Sequence, residues 1–434
     1  MSFRRAATAL SLSLVSVWAP AAFAAPDGHV TYTVQENDTL YDLGQTYLLD
    51  PRQMREVRLD NQIRDPRLLQ IGQKIEIPRR LLKFEPVELV LQSFSGPVNL
   101  EGPNGQLKVE IGQRLLEGQI ITTDAKGFAS IGGEDGALVT IPSNSRLQIV
   151  DARRYTINGK IDVRIKVLKG RGEIKAPSLD GEARFRVGTP IAVTAVRGTE
   201  FRVAYVEDDG LSLAEVVEGE VAVRRVDQSV VASEGEGVAA RRVGDLATEN
   251  LLPAPDLDEG GRIQTDALVE FAIEEVDDAA AYRTQLARDA GFIEIIDQAL
   301  GTAATVTFAD IEDGRYFVRS RGVAASGVEG FSKPYTFRRK RLGADAGAET
   351  SPIADAFKFG WRVNGRGQSY HAFQLWDNQN PSSLLVDEVA LQDTAILIGD
   401  LPAGSYAWRV GTFQIDDGEP IKVWTPVQEF AVSE

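Results

Sequence analysis

His29 and His371 are the chain's two imidazoles, and it has no cysteine in 434 residues. Thiolate nucleophiles, disulfides, cysteine zinc sites and multi-histidine metal centres are thereby excluded. What remains for chemistry is 63 Asp and Glu side chains, with hydroxyls and amides. Paired carboxylates for glycoside hydrolysis must flank a cleft at about 5–9.5 Å, and no spacing in the sequence singles out such a pair. The acidic pairs Glu134-Asp135, Asp208-Asp209 and Asp416-Asp417 precede glycine and read as hairpin turns, not calcium loops; Asp277-Asp278 is a fourth. Nucleophile-elbow, P-loop, zincin and EF-hand patterns are absent. His371 has no Ser or Cys partner in any motif. No catalytic residue, metal ligand or cofactor is assigned. Lys and Arg number 47 and the net charge is −16, which disfavours nucleic acid, since phosphate binding needs clustered cations.

The elements around these residues begin with a leader. Arg4 and Arg5 precede a 14-residue uncharged stretch, Ala6 to Ala19, then Pro20 and Ala22-Phe23-Ala24. That order predicts a signal peptide over residues 1–24, cleaved after Ala24. Fourteen helical residues span about 21 Å, too short for a hydrocarbon core of about 30 Å. No Cys follows for lipid attachment, and no later run could form a membrane helix. Losing Arg4 and Arg5 takes the charge from −16 to −18. The expected location is periplasmic or exported, associated with the cell wall.

Residues 29–80 predict strand, helix, helix, strand. Val30 to Val34 is β-branched and aromatic. Thr39 and Asp42 have capping-box spacing, and Leu40, Leu43 and Tyr47 make an apolar stripe. Asp50-Pro51 starts a second helix, with Asp as N-cap and Pro at N1, that buries Met54 and Val57. Gly72 makes a turn into an edge strand, Lys74 to Ile77, stopped by Pro78. The segment resembles the LysM module along its length, through Tyr32-Thr33-Val34, Asp38-Thr39-Leu40, Asn61 and Gly72-Gln73-Lys74-Ile75-Glu76-Ile77-Pro78. The resemblance implies binding of N-acetylglucosamine-containing glycans such as peptidoglycan or chitin. The implied groove lies between two loops, giving Asn37, Asp38, Thr39, Leu40, Asn61, Gln62, Ile63 and Arg64 as glycan-binding residues. Asn37 stands where the family commonly has Gly, and Asn tolerates the left-handed turn. Backbone amides and a small apolar shelf suffice for an N-acetyl sugar. Asp38, Thr39 and Asn61 serve equally well as caps and turn closers, and Leu40 and Ile63 as core.

From Phe84 to about Val243 the helical period gives way to short alternations separated by Asn104-Gly105, Asp135-Gly136, Asn158-Gly159 and Asp209-Gly210, which predicts an all-β domain. The longest alternation, Ile191 to Tyr205, turns its odd positions to the core until Arg197, where Gly198 suggests a bulge or a close backbone approach. Thr189-Pro190-Ile191-Ala192-Val193, Val196-Arg197-Gly198-Thr199-Glu200-Phe201, Val217 to Val221 and Glu234 to Gly237 resemble the FecR domain over roughly residues 95–240. Members of that family relay transporter signals to an extracytoplasmic sigma factor from the inner membrane. This chain has no membrane helix before the β domain, so the resemblance implies a fold and a periplasmic interaction role, not direct relay. Arg197 and Glu200 read as a fold-defining bulge with a salt bridge.

Beyond the expected linker Leu251 to Gly260 the chain repeats. Gln285-Leu286 before Gly314-Arg-Tyr316-Phe-Val-Arg319 is echoed by Gln374-Leu375 before Gly404-Ser-Tyr406-Ala-Trp-Arg409, a β-sandwich period. The boundary is placed near Leu342 to Ser351, and both halves resemble fibronectin type III or Ig-like modules. Trp361, Trp376, Tyr406 and Trp408 are expected in sandwich core ahead of a sugar-stacking platform. The expected architecture is multidomain and mainly β: a βααβ LysM-like module (29–80), an all-β FecR-like domain (84–243) and two sandwiches (250–342 and 350–434). The expected partner is peptidoglycan or a related amino-sugar glycan, with an envelope protein as a second candidate and no transmembrane segment in the mature chain. The expected function is non-catalytic wall binding. The alternative is a regulator acting on a membrane partner through the FecR-like domain.

Overall fold

The computed structural model describes residues 28–433 except 134–135, 180–181, 197, 227, 259–261, 352 and 354. The expected signal peptide, the Glu134-Asp135 pair and Arg197 lie outside the described residues. Two compact units result: one runs up to Glu85 and includes Tyr155–Gly159, the other holds Pro86–Arg154 and Lys160 onward.

In the first unit, β1 (His29–Thr33) pairs antiparallel with β2 (Lys74–Pro78), Val30 opposite Ile77 and Tyr32 opposite Ile75. α1 (Leu40–Tyr47) starts at Thr39, whose hydroxyl oxygen accepts the Asp42 amide at 3.1 Å. Asp50 caps a 3-10 turn, Pro51–Gln53, that runs into α2 (Met54–Asp60). Both expected helix starts hold because each is written in adjacent residues. A Cβ on Gly44 would sit 3.3 Å from the Met54 Cβ, so this glycine lets the helices close. Val30, Leu40, Leu43, Val57, Ile75 and Ile77 form the core, joined by Leu81, Leu82 and Tyr155. Each buried aliphatic side chain contributes about 1.5–3 kcal/mol over leaving it in water.

The second unit begins with strands closed into a barrel. Its organiser is the long strand Ile161–Lys175. The first half pairs with Ser145–Tyr155 and, in parallel, with Arg184–Gly188; the second half pairs with Leu138–Ile141 and Glu200–Val206. Gly170 sits at the changeover with φ 72°, and a Cβ there would lie 2.5 Å from the Asn144 carbonyl oxygen. Only glycine fits.

The alternation from Ile191 to Tyr205 differs from its expected phase. Val193–Val196 and Glu200–Val206 are two strands with different partners: the first lies between 185–188 and 221–224, the second between 170–175 and 211–218. In the first, Thr194 and Val196 are buried, as is Ala192 just before it, while Ala195 is exposed. The Thr189 hydroxyl oxygen accepts from the Ala192 amide, and this turn sets the phase; a one-residue slip exchanges the two faces of a strand. The close approach expected at Gly198 is present: its φ is 63° and its amide donates to Pro177.

Two sandwiches follow. In the first, the sheet of Leu257–Asp258, Val269–Ile273 and Thr305–Phe308 packs on one containing Ala279–Ala287, Ile295–Gly301, Gly314–Ala324 and Lys333–Arg339. Phe271, Leu286, Tyr316, Val318 and Phe337 fill it. In the second, Phe359, Phe373, Leu375, Tyr406 and Trp408 fill the same space. Leu375, Tyr406 and Trp408 thus repeat Leu286, Tyr316 and Val318.

Two expected connectors are structured instead. Leu251 is buried with Leu211, Leu213 and Val328, and its amide donates to Gly235. Residues Gly343–Thr350 form a strand paired along its length with Ala356–Asn364. Small and acidic residues have low strand propensity, and only the partner strand reveals the pairing.

Candidate glycan-binding site

The eight residues expected in the groove fall on two loops of the first unit, with Leu40 at the start of α1, and the Leu40 amide donates to the Pro66 carbonyl at 3.0 Å to join the two. Asn37 adopts the left-handed conformation, φ 67°, and is exposed. Asp38 turns inward: its carboxylate accepts the Tyr32 hydroxyl at 2.8 Å and the Gln35 amide at 2.7 Å. Burial first, then this bond and the Asp38 charge, raise the Tyr32 phenol well above its ordinary range. Thr39 also donates its hydroxyl to Asp42 at 2.6 Å. Asn61 donates to the Val57 and Glu76 carbonyls, both at 2.8 Å, and accepts the Glu76 amide at 2.7 Å, stitching α2 to β2.

Leu40 and Ile63 have side chains in the core. Gln62, φ 53°, and Arg64 are exposed, and the Arg64 carbonyl accepts from Arg58. Most side-chain polarity here is therefore spent on the fold. What faces outward is backbone, Asn37, Gln62 and Arg64, together with Leu68 and Ile71, exposed on the second loop. Those two apolar residues were missed in the sequence because nothing in a loop's composition separates an exposed leucine from a buried one.

Of the aromatic residues considered for a stacking platform, Trp361, Tyr406 and Trp408 are core, as expected. Trp376 is half-buried on the outer sheet face, near Arg409.

A second feature escaped sequence reasoning altogether. Where the barrel meets the first sandwich, Glu173, Arg202 and Glu215 stand directly across three neighbouring strands. The sandwich answers with the cross-strand pairs Arg283–Arg321 and Gln285–Arg319, and with Glu329. Glu215 takes Arg202 and Arg171, both at 2.9 Å. Glu329 takes Arg283 at 2.6 Å, Arg171 at 3.0 Å and Arg321 at 3.4 Å. Glu173 takes Arg319 and Arg321, both at 2.6 Å. Burial alone would raise the Glu173 and Glu329 carboxyls; the arginines overcome it and hold both far below the usual carboxylate range. The available signal was charge on alternate positions of apolar strands, as at Arg319 and Arg321.

Among the described residues, no helix is long and apolar enough to cross a membrane. Residues 32–78 match the LysM domain model and residues 119–222 the FecR protein model. No curated protein sequence matches the chain. Among solved structures, it is similar to a candidate anti-sigma factor from Parabacteroides distasonis, with 17% identity and a TM-score of 0.26 over 30% of this chain. The match spans 59% of that protein's length. It is also similar to a two-domain fibronectin type III segment of chicken tenascin, with 10% identity and a TM-score of 0.22, covering 41% of this chain and 99% of that one. The chain therefore carries one segment that matches the LysM domain model and, after it, one that matches the FecR protein model.

Proposed function

We propose that the chain is an exported, non-catalytic envelope protein that holds peptidoglycan through residues 29–80 and presents the remainder in the periplasm as interaction surface. The observation that carries this reading is the junction of the two loops at Leu40 and Pro66, with Asp38, Thr39 and Asn61 spent internally. An edge of backbone and small apolar surface suits the amide, hydroxyls and methyl of an N-acetyl sugar, which need no ionised partner. A single module of this size binds weakly, so retention at the wall depends on repeated sites along the glycan.

Sedimentation with insoluble sacculi tests it. The full chain should pellet, and Thr39→Arg, which puts bulk and charge between the loops, should stay in the supernatant. Thr39→Ser, which keeps the N-cap and its hydroxyl bond to Asp42, should still pellet, and thermal melting of Thr39→Arg separates loss of the site from loss of the helix. Equal recovery of the parent and Thr39→Arg counts against the assignment, and release of soluble muropeptides counts against a non-catalytic role.

The match of residues 119–222 to a regulatory family favours a second reading, in which the barrel acts on a membrane partner and the first unit is its tether. Crosslinking in cells should then trap a transporter or an anti-sigma protein. Envelope-stress transcription unchanged by deletion of the gene weighs against it.

A further inference from the structure

The match to the LysM domain ends at residue 78 and the match to the FecR protein spans 119–222, yet the structure does not divide there. Residues 155–159, deep inside the second match, belong to the first unit, while the chain on either side of them, up to Arg154 and from Lys160, belongs to the second. Tyr155 is 3% exposed in the core that holds Leu40 and Ile63, and Ile157 packs against the same core. Arg79, itself buried, places its guanidinium carbon 5.3 Å from the centre of the Tyr155 ring. Gly159, φ 67°, closes the turn by donating its amide to the Tyr155 carbonyl at 2.8 Å. The core of the first unit is complete only with a turn that arrives from far down the chain.

That turn bears on the helix that begins at the candidate groove. The Thr156 amide donates to the Lys83 carbonyl at 3.2 Å, and the Lys83 amide donates to the Tyr47 carbonyl at 2.7 Å. The Lys83 ammonium donates to the Gln45 and Thr46 carbonyls at 2.7 and 3.1 Å. Lys83 thus holds the open C-terminal carbonyls of α1, and the turn holds Lys83. Tyr47, at this gripped end, also packs its ring 6.0 Å from that of Tyr32, whose hydroxyl holds Asp38 in the first loop. α1 has eight residues, a length of about 12 Å, and Leu40 at its other end joins the second loop at Pro66. So short a helix has little stability of its own, and its position is set by what grips its two ends.

We propose that the turn 155–159 is a working part of the glycan-binding unit: it fixes α1 and the loops beside it, so wall binding depends on the closed strand pair Ser145–Tyr155 and Ile161–Lys175. The pairing of Arg154 with Ile161 shapes the turn. Whatever opens this hairpin loosens the groove, and by linkage a glycan in the groove stabilises the hairpin. The inference rests on the amino-sugar reading for its ligand, whereas the grip of the turn on α1 is measured with no ligand present.

Hydrogen exchange of the full chain, read by mass spectrometry, tests it. Tyr155→Ala empties a buried aromatic site, and exchange over residues 40–47 should quicken about a hundredfold or more, while residues 200–206 and 211–218 keep the protection of the parent. The apparent affinity of this variant for insoluble sacculi should fall about tenfold or more. Tyr155→Phe, which keeps the ring, should restore most of both. Sacculi added to the parent should slow exchange over 155–159. Unchanged exchange over 40–47 in Tyr155→Ala, affinity equal to that of a parent that binds, or exchange over 155–159 that ignores bound sacculi overturns the proposal. Should Tyr155→Ala lose protection throughout the chain, Ile157→Ala, at a half-buried position, replaces it under the same criteria. A parent that does not pellet sinks the amino-sugar reading instead, and the exchange measured without glycan then decides the part of the turn alone.

Discussion

The two sandwiches use one device in two settings. In the first, Arg319 donates to the Gln285 side-chain oxygen at 2.9 and 2.7 Å; in the second, Arg409 donates to Gln374 at 2.9 and 2.8 Å. Both pairs stand directly across neighbouring strands. Around the first pair the barrel closes, Gln285 is fully buried and Glu173 completes the guanidinium. Around the second pair no barrel lies. Arg409 is instead near two indoles, 5.9 Å from the Trp376 ring and 4.3 Å from that of Trp424, with Lys422 also 4.3 Å from Trp424. A Cβ on Gly411 would come within 3.0 Å of Trp424, so glycine lets that ring lie across the sheet. The arginine position meets an aromatic face in both settings, Phe292 at 4.0 Å from Arg319 and the two indoles beside Arg409, and the covered one has a carboxylate in addition.

The sharpest way to break this comparison is to remove an anion from the covered side. Glu329→Gln leaves Arg171, Arg283 and Arg321 facing a neutral group, and loss of one partner of a buried ion pair costs about 3–5 kcal/mol. Urea unfolding should show a fall of that size. The pH dependence follows the same carboxylates. Their folded pKa values lie below the ordinary 4.5, so their stabilisation is fully present above that value and is lost as pH falls beneath it. Acid unfolding of Glu329→Gln should accordingly show a shallower dependence below pH 4.5 than the parent. A parent-like slope removes the cluster as the main acid-sensitive element.

On the open side, Arg409→Ala removes two cation–π contacts worth about 0.5–1 kcal/mol each at exposed sites. A loss of about 1–2 kcal/mol is expected, well under that of Glu329→Gln, and high salt should change it little because ring contacts dominate. A loss as large as that of Glu329→Gln would mean that the outer face of the second sandwich is also covered.

How much of this was legible depends on how far apart the partners are. Thr39 caps through Asp42 and Asp50 through Arg52, so the first unit's helices could be read from neighbouring residues. Thr39→Ala should cost about 1 kcal/mol, the ordinary worth of such a cap, measured by thermal melting of the full chain. The Gln–Arg repeat was also visible, since its pattern recurs in the sequence. The strand Gly343–Thr350 was not, because Gly, Ala and acidic residues state no strand until a partner is present; nor was the packing of Leu251, whose partners Leu211, Leu213 and Val328 are distant in the sequence. Glu173 and Arg321 lie 148 residues apart, and no local pattern joins them. The inward phase of Ala192, Thr194 and Val196 was misread because the turn at Thr189, not the alternation, sets it.

The smallest expected effect belongs to His371, one residue after Tyr370 on the strand that carries Gln374. It is buried, its Nδ1 lies 3.3 Å from the Thr412 hydroxyl, and its ring meets Trp361 edge-on at 5.4 Å. Burial lowers its pKa below the usual 6.5. Between the folded value and 6.5 the unfolded chain takes up a proton that the folded sandwich refuses, so stability falls as pH drops through that window. One proton limits the slope to about 1.4 kcal/mol per pH unit. Thermal melts of His371→Phe and the parent, compared at pH 7 and pH 5.5, isolate the contribution: the parent should lose more on acidification than the variant. Equal losses would show that the imidazole is not held neutral by its surroundings, and that the second sandwich is wetter than the packing of Trp361, Phe373 and Trp408 implies.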